Sequence, residues 1–318
     1  MASKYSSILL SSESTLNLRD PSLSSYYDMK EMGKEDFINT KMEEMGVDEP
    51  EIKQELAQIY DALTANSYEV LPTFSYDGVD GIMFRKDNNV YFLSDEYKDY
   101  LNEKRGTLDY QTDYSLKDIL AEFDSHPPLI KSMGGLVRLE DTFQNYYDPY
   151  SNEITLSTTM LDNDKKGTSG SIGQTILHEH IHRLDFEQGK QQREGLISGH
   201  PYFRAISNSS PASAYSKSYK ESDNPLDWQN YFGENLAESV MPMRYYANKS
   251  TRHMAMISDP DTGEDIPYGN WRKTHTELAE VAEKVYSSNS LDEIVSFLDK
   301  KWESYPQHLK DEYMDEYF

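Results

Sequence analysis

Residues 174 to 185 read Gln-Thr-Ile-Leu-His-Glu-His-Ile-His-Arg-Leu-Asp, and no other stretch of this chain limits the fold so tightly. On a helix, side chains four apart share a face one turn separated. A helix here therefore directs the imidazoles of His178 and His182 at a single ion. Glu179 sits beside that face, within reach of a water held by such an ion. Ile176, Leu177, Ile181 and Leu184 spread apolar contacts around the same turns, as a buried helix requires. The H-E-x-x-H pattern is thus a pair of metal ligands with a base beside them. Zinc accepts neutral imidazole and carboxylate and leaves one position open in catalytic sites. It acidifies its bound water, and a neighbouring carboxylate takes up the proton as that water attacks a carbonyl. The competing readings are a structural metal site and a surface histidine cluster. His180 lies two positions from each ligand candidate and faces away, as a surface histidine or one that supports the ligands from behind.

Two histidines do not complete a site. The best source of a third ligand is Glu234-Asn235-Leu236-Ala237-Glu238, where both glutamates share a helical face and Leu236, Val240 and Met243 can pack that helix beside the first. Glu234 is the expected third ligand. Glu238 is expected to accept a hydrogen bond from a liganding histidine, which fixes its tautomer. An ordinary solvated acidic pair is the alternative. Asp185, one turn beyond His182, is a rival ligand or, better, an orienting residue. A three-histidine zincin pattern needs Gly and His where this chain has Asp185 and Gln188, so a zinc site here is of the two-His, one-Glu kind.

The 318 residues hold 31 Lys and Arg against 56 Asp and Glu, a formal charge of -25. Nucleic-acid affinity rests on neutralising phosphates with basic side chains, so nucleic acid is not an expected partner. A protein or peptide substrate, a basic one above all, would be steered favourably. The absence of cysteine excludes disulfides, thiol catalysis and thiolate metal sites. The first residues carry only a short apolar run, Ile8 to Leu10, and no segment has membrane-spanning length. The expectation is a chain that is cytoplasmic, virion-associated or delivered by a non-classical route, or secreted if a signal has been removed.

Residues 1–30, rich in serine, read as a flexible arm. A helical pattern covers Lys34 to Leu63, divided by Pro50, which is placed to open the second segment. Gly81 to Phe84 and Val90 to Leu93 flank Asp87-Asn88-Asn89 as a hairpin. The polar stretch Asp95 to Asp113 is the expected seam between an N-terminal accessory α+β region, 31–110, and a second domain, 111–318. In the latter, Leu116 to Phe123 reads as a short helix, and Gly134 to Leu139 and Asn152 to Leu156 as strands joined through a turn at Asp148 to Asn152. The strand at Ile154 to Leu156 is the expected edge for strand addition by a peptide. Glu187 to Asn230 reads as loop-rich, with Pro201, Pro211 and Pro225. Helical pattern returns at Glu234 to Tyr246, Glu277 to Tyr286 and Leu291 to Tyr305.

On three features the chain resembles the anthrax lethal factor-like metallopeptidases, a group that includes the clostridial Pro-Pro endopeptidases. They are Ile176 to His182 followed by Leu184-Asp185, then Glu234 to Glu238 with the run to Tyr246, and the Tyr147-Asp148-Pro149 turn leading into Ile154 to Leu156. The resemblance spans roughly residues 130 to 305. It implies an α+β, zincin-like metallopeptidase domain with a small mixed sheet, an active-site helix and a helical C-terminal part, preceded by a smaller N-terminal region. It implies Zn2+ held by His178, His182 and Glu234, Glu179 as general base, and Glu238 behind the ligands. The family also uses a tyrosine to stabilise the oxyanion, seven residues before the liganding glutamate, a position that here is Asp227. Tyr219, in a loop displaced upstream by an insertion covering roughly Pro225 to Gly233, is the favoured donor, with Tyr231 the other candidate. Either tyrosine would equally serve in packing. The expected function is a zinc-dependent endopeptidase acting on an extended protein substrate. The alternative is a catalytically silent zincin-like domain, a structural or interaction module of a toxin, virion or secretion assembly, engaged through the N-terminal region.

Overall fold

The computed structural model describes residues 21–104, 115–158, 171–189 and 195–311. The chain forms a mixed α+β domain. Its helices include α1 (Lys34–Met45), α2 (Pro50–Ala65), α3 (Asp95–Lys104) and α4 (Leu116–Asp124). Pro50 occupies the first turn of α2, where its missing N–H is no loss, and a Ser115–Asp118 capping box opens α4. The strands β1 (Glu69–Val70), β2 (Ser75–Tyr76), β3 (Val79–Lys86), β4 (Asn89–Ser94), β5 (Gly135–Glu140), β6 (Tyr146–Asp148) and β7 (Glu153–Ser157) build one sheet. Its order is β1-β3-β4-β5-β7-β6, with β2 paired to β3. β4, β5 and β7 run parallel to one another, and the other pairs are antiparallel.

Two-residue periodicity sorts the strands between two faces. Ile82, Phe84, Tyr91, Leu93, Val137 and Leu139 join Phe37, Leu56, Leu63, Ile119 and Phe123 in a core under the helices. Met83, Val90, Phe92 and Leu136 face the other way, onto Leu23 and Tyr27. Those two residues fall within the expected flexible arm. Residues 24–28 are instead a short helix packed on the sheet, while residues 1–20 lie outside the described segments.

Three further expectations change. The seam at 95–113 does not divide the sheet, since β4 pairs with β5 across it, and its first part is helix α3. β7 is not the edge strand, because β6 pairs along its outer side and is itself the edge. The stretch 187–230 is not loop-rich among its described residues. It contains α6 (Pro201–Ser209), α7 (Ala214–Lys220) and the start of α8 (Pro225–Val240). Pro201 and Pro225 begin helices there instead of interrupting them, and a Ser213 side-chain cap opens α7.

The helix that carries the histidines, α5 (Ile172–Gly189), lies between two cores. Ile172 and Ile176 enter the sheet core. Leu177, Ile181 and Leu184 enter a helical core with Leu236, Ala237 and Val240 of α8 and residues of α9 (Thr276–Ser287) and α10 (Leu291–Ser304). Apolar contacts on two sides leave one remaining stripe, which faces a cleft.

Candidate metal centre and cleft

Arg183 locks α5 against the sheet. Its guanidinium is fully buried and donates to the Leu136 carbonyl at 2.5 Å, to Asn89 Oδ1 at 3.2 Å and to the Asn152 carbonyl at 3.3 Å. These acceptors offset much of the cost of burying the cation. The glycine at 135 makes the approach possible, because a Cβ there would lie 2.7 Å from Arg183 Cζ. With α5 fixed in rotation, His178, Glu179, His182 and Phe186 all line one cleft of about 610 Å³. Across it stand Phe143 to Tyr147, Pro149, Tyr215, Tyr219, Asn230 and Glu234.

His178, His182 and Glu234 converge. The two Nε2 atoms are 3.0 Å apart, His178 Nε2 is 3.3 Å from Glu234 Oε2, and His182 Nε2 is 3.5 Å from Glu234 Oε1. Donor atoms about 2.0–2.1 Å from one tetrahedral ion lie about 3.3 Å from one another, so the spacing fits a zinc-sized cation. Among the described residues this is the group of His, Asp and Glu side chains able to hold a metal. Glu234 Oε2 is buried without a well-aligned hydrogen-bond donor, as expected of an atom that belongs to an ion. Glu238 Oε1 lies 3.3 Å from His178 Nδ1, which leaves Nε2 for the shared centre.

The electrostatics agree with this arrangement. Burial disfavours a charged His178, but contacts with Glu234 and Glu238 outweigh it and raise its pKa well above the usual value. Burial also opposes charge on Glu234, yet the His182 and His178 rings hold its carboxyl far below the ordinary range. Without a cation, His178 is drawn toward its protonated form by the surrounding carboxylates. A divalent ion would supply that charge. Burial raises the pKa of Glu179, which faces the cleft and accepts a hydrogen bond from the Tyr147 backbone N–H of β6.

Several expected residues lie elsewhere. Asp185 lies outside the group formed by His178, His182 and Glu234, though its charge is felt by His182. Its Oδ1 accepts the backbone N–H groups of Ile197 at 2.6 Å and Ser198 at 3.0 Å, which folds the next segment back onto α5. Gly195 is required there, since a Cβ would fall 1.9 Å from Asp185 Oδ2. Tyr231 is a packing tyrosine, buried, with its hydroxyl donating to the Ser207 carbonyl at 2.5 Å. Tyr219 does line the cleft, on α7 and not on a loop, and the supposed insertion is the first turns of α8. His180 is not a surface residue. It is buried beside Phe123 and His126, with Nδ1 2.8 Å from the Ile176 carbonyl.

Sequence reasoning passed over Tyr215. Its ring meets His178 edge-on at 6.4 Å, and its hydroxyl lies 2.9 Å from that of Tyr219, one turn along α7. Partial burial and the Glu234 charge raise its pKa, so the hydroxyl keeps its proton and remains a donor. The i, i+4 spacing of the two tyrosines was the available signal, hidden among 25 tyrosines. No family model, curated protein or solved structure matches the chain, and the chemistry of the cleft therefore rests on the residues just described.

Proposed function

We propose that this chain is a zinc-dependent endopeptidase of zincin-like fold, akin to the lethal factor-like metallopeptidases, that hydrolyses peptide bonds in an extended protein substrate. The observation that carries the reading is the convergence of His178, His182 and Glu234 in a cleft that also holds a buried carboxylate, Glu179, and a short edge strand, β6. A zinc ion held by these three side chains would supply Lewis acidity and an acidified water. Glu179 would serve as the base for a water attacking the carbonyl carbon and would hand the proton on to the departing amine. Its burial-raised pKa suits both halves of that transfer. Tyr215, kept protonated and partnered by Tyr219, donates to the carbonyl oxygen as it gains charge. Backbone groups along the outer edge of β6, other than the Tyr147 N–H that Glu179 takes, would hold the substrate extended across the cleft. A module without turnover has no use for a buried carboxylate turned into such a cleft.

The test is metal content and peptide hydrolysis by wild type and Glu179→Gln. The expected result is one zinc per chain in both proteins, with turnover in the variant lower by about 10²–10⁴. Undiminished cleavage by the variant would remove Glu179 from the mechanism.

A further inference from the structure

The mouth of the cleft is solvated in an unusual way. Among the described residues, the large hydrophobic side chains that stand exposed are Phe143, Tyr146, Tyr150 and Tyr215. Phe143, Tyr146 and Tyr215 line the cleft, and Tyr150 follows Pro149, which also lines it. Phe143 is 96% exposed and Tyr150 97%. Single exposed hydrophobics are ordinary on a protein surface, whereas their concentration at one place marks a recognition surface. A chain as rich in carboxylates as this one has no shortage of polar residues for a rim. The lining includes no Lys or Arg, and a zinc ion held there would offset the charges of Glu179 and Glu234, which leaves the aromatic side chains as its distinguishing feature.

Geometry supplies the third part. Tyr146 lies in β6, and β6 is the sheet's terminal strand. A peptide added along that edge alternates its side chains between two directions, so every second one meets the same wall of the cleft. We infer that the cleft selects an extended peptide segment bearing a large apolar or aromatic side chain next to the cleaved bond, gripped by Phe143 and Tyr146. The inference rests on the peptidase reading and names the substrate class of that same site.

The test uses zinc-loaded Glu179→Gln protein, which holds peptide without cutting it, and short fluorescein-labelled peptides that differ at one central residue. Fluorescence anisotropy is expected to show the Phe peptide binding at least about tenfold tighter than its Ser counterpart. Phe143→Ser and Tyr146→Ser, each introduced into that protein, are expected to erase most of the preference while zinc content and Tm stay unchanged. Equal binding of Phe and Ser peptides would overturn the inference, as would a preference that survives both substitutions together. Wild-type protein separates the two levels of the claim. Cleavage of Phe and Ser peptides at equal rates sinks the selectivity and leaves the peptidase standing. Selective binding with no cleavage by wild type sinks the peptidase and leaves an aromatic recognition surface.

Discussion

Helix α5 takes part in two pairs of buried histidines that look alike and behave oppositely. His178 and His182 meet edge-on with ring centres 4.7 Å apart, and His180 meets His126 in the same manner at 4.6 Å. All four rings are buried. The first pair faces Glu234 and Glu238, and His178 is pushed toward its protonated form. The second pair sits against Phe123, with Arg183, Arg244 and Lys131 as its charged neighbours. Burial drives His180 down to about 3 and His126 well below 6.5. Burial alone therefore does not set what a histidine can do. Carboxylates draw a buried histidine toward positive charge, and an aromatic, basic setting keeps one neutral.

Exchanging rings tests that contrast most severely. His182→Phe is expected to abolish both zinc binding, read by elemental analysis, and peptide hydrolysis. His180→Phe is expected to keep one zinc per chain and lose about 1–3 kcal/mol of stability from imperfect repacking. Loss of zinc in the second variant would erase the distinction between the pairs. Tyr215→Phe leaves the acidic side of the comparison intact and removes a donor to the developing oxyanion. Its kcat is expected to fall by about 10²–10³ with zinc retained, and Tyr219→Phe should cost less, since its hydroxyl acts through that of Tyr215. The opposite order would make Tyr219 the donor. Glu238→Gln weakens the carboxylate field behind His178, and competition with a chelator is expected to show a 10–100-fold loss of zinc affinity, about the usual cost of losing such a partner.

The smallest effect belongs to the neutral pair. His126 has a lowered pKa in the fold and an ordinary one, about 6.5, when unfolded. The unfolded chain therefore binds the proton more tightly. The stability contributed by neutral His126 is present above about pH 6.5 and is lost as the pH falls below it. Thermal unfolding between pH 7.5 and pH 5 should show this decline, and His126→Phe should flatten it. An identical slope in the variant would place the acid sensitivity elsewhere.

Much of the architecture was legible because local rules agreed with the fold. Pro50 sits where a helix begins, and the apolar runs Gly81–Phe84 and Val90–Leu93 pair as the two arms of a hairpin. The differences have two causes. Pro201 and Pro225 look like breakers in 187–230, yet proline in a first helical turn starts a helix. Distance along α5 places Asp185 near His182 but says nothing of the backbone N–H groups that a later segment brings to it. Tyr231 is nearer Glu234 in sequence than Tyr215 is, but the packing of α7 against α8 puts Tyr215 in the cleft and buries Tyr231 beneath α6 residues.

What the sequence determined by itself is the pair His178 and His182 with Glu179 beside them, because one helical turn converts a spacing of four into a shared direction without help from the rest of the chain. Which carboxylate completes that pair, which tyrosine overlooks it and which strand borders it are not local quantities. They were decided when α8, α7 and β6 closed around α5, since contacts between distant segments depend on packing that no spacing encodes.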